Sequence, residues 1–257
     1  MQRAAHTTRK TAGIALARLT LLQRDMIGDH IDFISAYCDR WCERCPLTHR
    51  CSAFTAQAAI AMCGNDRDGL ELAFGRAPND DGVVAPLPRW VEQIDGMEMS
   101  KREEAEWRRT EDERRARVDG TTVMISARAF ALVAGPWLRE NAAGLSTRDP
   151  VMREPLDIAA WDSTQMCAKL YRALHGRDCY QAGEETGWDD PVQNDWNGSA
   201  KVVLLGIERS QRAWSMLASC TDDRVPATLA AWLLDLRAGV EQEFPDAWNF
   251  RRPGFDD

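Results

Sequence analysis

From residue 122 onward, apolar residues return every three or four positions and almost nowhere every second one. Leu156, Ala160, Cys167, Leu170 and Leu174 form one such stripe, and Leu229, Leu233, Leu236, Val240 and Phe244 form another. A period near 3.6 lays residues along one side of a helix, whereas a half-buried strand needs a period of two. Thr122 to Leu138 is strongly apolar, with a kink or stop expected at Gly135-Pro136, where proline removes an amide donor. Lys201 to Leu217 is apolar nearly all round in its first half, which suits a central helix. Pro226, preceded by Asp222 and Asp223, opens the last helix. The fold class expected is all-α, an irregular helical bundle. A chain of 257 residues can bury most of its apolar surface without disulfides.

The second constraint is a run of four thiols. Cys38, Cys42, Cys45 and Cys51 are spaced C-x3-C-x2-C-x5-C and account for half of the eight cysteines. Leu19, Leu22, Met26, Phe33, Ile34, Tyr37 and Trp41 recur at helical spacing, which predicts a long helix running to about Cys45. At about 100° per residue that helix would bring Cys38, Cys42 and Cys45 into one narrow sector, beside Ile27, Ile31 and Ile34. Pro46 stops it, and Cys51 folds back as a fourth ligand. The expected result is an N-terminal four-cysteine metal-binding helix-loop. Structural zinc usually takes two separated Cys-x2-Cys knuckles, and only one x2 spacing exists here. A compact four-cysteine run suits a [4Fe-4S] cluster better. Arg40, Arg44 and Arg50 supply positive charge around the thiolates. His49 lies between two of the cysteines and reads as a loop histidine.

Cys38-x3-Cys42-x2-Cys45 resembles the radical SAM motif in spacing. It departs from that motif in having Arg44 where an aromatic residue usually precedes the last cysteine. No strand that would begin a βα barrel precedes it. Cys42-x2-Cys45-x5-Cys51 is similar to part of the auxiliary-cluster motif of SPASM extensions, without its final cysteine. Both resemblances imply iron–sulfur chemistry rather than zinc.

Composition divides the chain. Residues 1–75 are expected to form a helical module carrying the cysteines. Residues 76–88, with Pro78, Asn79-Asp80-Asp81-Gly82, Pro86 and Pro88, read as a linker, and 89–257 as the bundle. Residues 1–24 hold no acid and read as a basic arm entering a helix. Net charge is −8, which argues against broad attachment to nucleic acid. No apolar run is long enough to span a membrane, and no secretory signal is read. Clustered thiols fit a reducing cytoplasm. Glu98 to Arg117 reads as a solvated helix, with Glu104–Arg108, Glu111–Arg115 and Glu113–Arg117 as i, i+4 pairs.

Two further constellations lie in the bundle. Ser199, as a helix N-cap, and Lys201 form a candidate anion site. Trp161, Asp162, Lys169, Glu208 and Arg209 are polar residues that could line the bundle interior. Metalloenzyme, hydrolase and nucleotide fingerprints are absent: no Glu-x-x-His, no G-x-S-x-G and no Walker A sequence occurs. The function expected is an iron–sulfur protein with a structural, sensing or electron-transferring role and a protein partner. The alternatives are a zinc-stapled helical interaction module, and an enzyme whose pocket lies in the C-terminal bundle with the metal as support.

Overall fold

A computed structural model describes residues 30–74, 100–184 and 190–256. The described residues are all-helical and contain no strand. They divide into two compact units. Residues 30–35 and 40–74 belong to one; residues 36–39 and 100–256 belong to the other. The expected linker at 76–88 and the basic arm lie outside the described residues.

The first unit carries two α-helices, α1 (Ser52–Cys63) and α2 (Asp66–Phe74). Gly64 ends α1 in the left-handed region at φ 76°, and its amide bonds to the Ile60 carbonyl at 2.8 Å. A residue with a Cβ adopts that conformation only at a cost. Asn65 then starts α2 by accepting the Asp68 amide at 2.9 Å. The two helices meet at Gly69, where a Cβ would lie 2.5 Å from the Ile60 Cα.

The second unit holds α3 (Lys101–Asp119), α4 (Thr122–Arg148), α5 (Arg153–Gln181), α6 (Asp195–Ser219) and α7 (Val225–Glu243). The most extensive packing joins α5 to α6, followed by α6 to α7 and α4 to α5. One contiguous core runs through it. Trp214, Phe130, Leu204, Leu233 and Leu170 are among its buried side chains. Trp214 meets Trp137 and Phe130 edge to face, with ring centroids 5.3 and 6.3 Å apart.

Helix boundaries differ from expectation in four places. Helix α4 runs ten residues past Leu138, through Pro136, because Trp137, Leu138 and Leu145 all reach the core and packing outweighs the missing amide. Helix α5 passes through Gly176 to Gln181. Helix α6 starts at Asp195, six residues before Lys201, because Asn194 caps it by accepting the Asn197 amide at 2.9 Å. Ser199 is therefore inside the helix and not its cap.

The fourth difference is the largest. Residues 30–45 are not an α-helix. Asp32 to Cys38 form turns and bends, and Phe33 and Arg40 adopt left-handed φ values of 60° and 59°. Each costs about 1 kcal/mol for a residue with a Cβ. The compensation is visible at 36–39. In a helix the Ala36 carbonyl would accept an amide four residues on. Here it accepts the Lys169 ammonium at 2.8 Å and Arg172 Nη1 at 3.5 Å. The Asp39 carbonyl accepts Trp161 Nε1 and Gln165 Nε2, both at 2.9 Å. Residues 161, 165, 169 and 172 share one face of α5, so a single polar stripe captures the strap.

Below the strap lies a buried charge. Asp162 is 1% exposed. Burial pushes its carboxyl above the usual range, and the Arg209 guanidinium pulls it back part of the way. Arg209 donates from Nε and Nη2 to Asp162 and from Nη1 to Asp39 Oδ2 at 2.7 Å. Removing one partner of such a pair leaves an uncompensated charge. Asp162→Ala is expected to destabilise the bundle by about 3 kcal/mol, read as a lower urea midpoint at unchanged slope.

Candidate functional site

Cys38 and the other three cysteines belong to different units. Cys38 sits on the strap, one residue after Tyr37. Tyr37 is 6% exposed, with its ring 4.7 Å from that of Phe250. A Cβ at Gly198 would run into both rings, so the strap approaches α6 where only glycine leaves room. Burial, and then the hydrogen-bonded Asp195 carboxylate, push the Tyr37 phenol upward. Asp195 is itself gripped by Arg172, from Nε at 2.9 Å and from Nη2.

Cys42, Cys45 and Cys51 occur in two short 3₁₀ turns of the first unit. Cys42–Arg44 forms the first, closed by the Cys45 amide on the Cys42 carbonyl at 3.2 Å. The Arg44 guanidinium lies 3.9 Å from the Trp41 ring centroid, stacked over the aromatic face. Thr48–Arg50 forms the second turn, and the Cys51 amide reaches the Thr48 carbonyl at 3.2 Å. Cys51 precedes α1, and its carbonyl accepts both the amide and the hydroxyl of Thr55, at 3.0 and 3.1 Å. The Ile31 amide closes the unit onto the Arg50 carbonyl at 3.0 Å, and His30 Nε2 lies 3.5 Å from the Thr55 hydroxyl.

None of the eight cysteines is in a disulfide. Among the described residues, no group of three or more His, Cys, Asp or Glu side chains is placed to hold a metal ion. The expected helical sector is absent because the residues that would form it are turns. A fourth ligand held by a single tight loop is replaced by two successive turns around Pro46.

The polar residues named in the bundle do converge, in part. Asp162, Lys169, Arg209 and Trp161 all serve the strap. Glu208 does not; it pairs with Arg237 on α7 at 3.0 Å. The cavity bounded by Asp39, Asp162, Gln165, Lys169 and Gly206 is about 10 Å³, which holds about one water and no substrate. A larger space, about 70 Å³, lies between Arg117, Thr121, Arg177, Asp178 and Gln181.

The candidate anion site is otherwise engaged. Ser199 is fully buried, and its hydroxyl has no hydrogen-bond partner. Lys201 gives its ammonium to Asp256 at 2.8 Å and to the Phe250 carbonyl at 2.5 Å. The C-terminal segment thus folds back on α6 and occupies the lysine internally.

Two of the three expected pairs on α3 are also replaced. Glu104–Arg108 forms. Glu111 instead takes Arg114 at 2.7 Å and His175 at 3.0 Å, and Arg117 takes Asp178 at 2.7 Å. Arg114 is only 4% exposed and also holds Asp178 and Glu184. Sequence reasoning took this helix as solvated. The unused signal was Val118 one turn after Arg114, an apolar residue on the same face.

Compared with known proteins, the chain matches no family model, no curated protein and no solved structure.

The lysine clasp sets a pH dependence. Burial raises the Asp256 carboxyl, but hydrogen bonds from Arg252 and Lys201 outweigh it and hold the group well below the usual carboxylate range. The folded state therefore binds fewer protons than the unfolded state between those two ranges, and stability falls as pH falls through that window. Asp256→Asn is expected to lower the urea midpoint at pH 7. The gap to the natural protein should narrow below about pH 4. A gap that widened on acidification would contradict the assignment.

Proposed function

We propose that the stretch from Cys38 to Cys51 binds a [4Fe-4S] cluster through Cys38, Cys42, Cys45 and Cys51. We further propose that the protein uses it in a structural, sensing or electron-transferring role with a protein partner in a reducing, cytoplasmic setting. The observation that carries this reading is the thiol content of one fourteen-residue stretch, four cysteines with none in a disulfide. Thiolates in so short a run repel one another and are reactive when unligated. A cation that neutralises them removes both penalties. Arg40, Arg44 and Arg50 add positive charge in the same stretch. Zinc is the second reading, since it takes the same four ligands; the lone Cys-x2-Cys spacing favours the cluster.

The chain's own residues define what binding must do. Cys42 and Cys45 sit at the ends of one 3₁₀ turn, and Cys51 follows the next. Neither turn buries a residue of its own. Ligand capture would therefore have to move Cys42 and Cys45, which are half-buried, rather than the buried Cys51, and the binding free energy would appear as order in 40–51. The bundle has its own core and should stand without the metal.

No single helix among the described residues is long and apolar enough to cross a membrane. For the enzyme reading, the two residues expected to line the pocket are paired elsewhere, Lys201 with Asp256 and Glu208 with Arg237.

Anaerobic purification with metal analysis and a visible spectrum tests the proposal. The expected result is a brown protein absorbing broadly near about 400 nm, with roughly four irons per chain. Cys42→Ser should remove the iron while helicity falls only modestly. Stoichiometric zinc without iron would turn the assignment to the second reading. Metal-free protein whose four thiols alkylate freely would overturn both.

A further inference from the structure

One of the four cysteines outside the Cys38–Cys51 stretch, Cys179, is set quite differently. Cys179 and His175 are four residues apart on α5, so both project from one side of it. The Cys179 Sγ lies 3.6 Å from His175 Nδ1. On the far side of the ring, His175 Nε2 lies 3.0 Å from Glu111 Oε1 on α3. Tyr171 stacks on the imidazole, with centroids 5.7 Å apart and planes at 30°. We propose that Cys179, His175 and Glu111 form a thiol–imidazole–carboxylate relay whose substrate is a small hydroperoxide.

The direction of the relay follows from the donors. An ionised carboxylate only accepts hydrogen bonds. Burial pushes the Glu111 carboxyl up, but hydrogen bonds from His175 and Arg114 outweigh it and keep the group below its ordinary range. Glu111 is therefore ionised at neutral pH and accepts a hydrogen bond from His175 Nε2. Nδ1 then presents its lone pair to the thiol. A nucleophile, a base beside it and a carboxylate orienting the base are the three parts of an activated cysteine.

Charge and access define the substrate. Arg114 is buried and interacts electrostatically with Cys179, so a guanidinium faces charge that develops on sulfur or on the leaving oxygen. The other charged groups around the relay are Arg115, Arg117, Asp178 and Glu184. Cys179 is only 6% exposed. So little exposed sulfur excludes a peptide or acyl chain and restricts the substrate to the smallest electrophiles, of which a small hydroperoxide is the one that a thiolate reduces directly. Cys167, on the same helix, is the contrast. It packs against the core, and burial pushes its thiol up with no base offered.

His175 takes the thiol proton, and the Cys179 thiolate attacks the terminal peroxide oxygen. The sulfur–oxygen bond forms as the oxygen–oxygen bond breaks. Sulfur loses two electrons, the hydroperoxide gains them, and the departing alkoxide or hydroxide takes the proton from His175. The products are cysteine sulfenic acid and an alcohol or water.

The test treats the full chain with hydrogen peroxide at neutral pH. After timed exposure the peroxide is removed, the chain is unfolded in denaturant containing a cyclic 1,3-diketone so that burial does not limit trapping of sulfenic acid, and each cysteine is read by peptide mass spectrometry. Cys220, exposed and in the same tube, is the reference, so peroxide consumed elsewhere cancels. Cys179 should label about tenfold faster than Cys220 or more, and His175→Gln should slow Cys179 by about 100-fold without changing Cys220. Glu111→Gln should keep the site but move the pH–rate profile of Cys179 to higher pH, which loss of packing alone would not do. Labelling of Cys179 no faster than Cys220 would overturn the proposal. So would a well-folded His175→Gln protein in which Cys179 reacts at the natural rate. If His175→Gln does not fold, the natural rate ratio and the Glu111→Gln profile decide it.

Discussion

A carboxylate with almost no solvent contact is tolerable only when a cation closes on it. Asp162 meets that condition through Arg209, which reaches across from α6 to α5. The pair spans the most extensive helix contact of the bundle. It is not there to add net stability, since a buried pair roughly repays its own desolvation. Its consequence is geometric. Arg209 has a third nitrogen on its partly exposed side, and Asp39 accepts from it. Placing one charge inside thus dictates where a distant stretch of chain must lie.

The polar stripe on α5 completes that dictation. Carbonyls 36 and 39, freed from helical bonding, take the donors of Lys169, Trp161 and Gln165. Tyr37 fills the space left by Gly198. The strap is extended in function though only four residues long, and it carries Cys38. In the other unit Cys42 and Cys45 are half-buried, whereas Cys51 is buried just before α1.

The bundle was largely legible in the sequence because its stripes are long and regular. The stripe of α7 reaches the core as read, and on α5 Leu156, Leu170 and Leu174 do so, but Ala160 is exposed and its neighbour Ala159 is buried instead. Boundaries were less legible. Asn194 outcompeted Ser199 as a cap, and core contacts carried α4 past Pro136. The N-terminal helix failed for a tertiary reason. Phe33, Ile34, Tyr37 and Trp41 have helical spacing, but the acceptors of that stretch are claimed by side chains more than a hundred residues away. Local periodicity holds no record of such competition. Asp162, Lys169 and Arg209 were visible as interior polar residues, yet their partner, the backbone of residues 36–39, leaves no signature in residue type. The Cys179–His175 spacing was present in the sequence, but its meaning depends on Glu111 across the helix pair.

The central claim is that the bundle's charge fixes the strap. A double-mutant cycle on Asp39→Ala and Arg209→Ala measures that coupling alone, because the effect of Arg209 on Asp162 cancels in the difference. The account predicts that the two losses fail to add by about 1–2 kcal/mol, as for a charge-assisted hydrogen bond. Additivity within about 0.3 kcal/mol would mean that the strap lies on the bundle for some other reason.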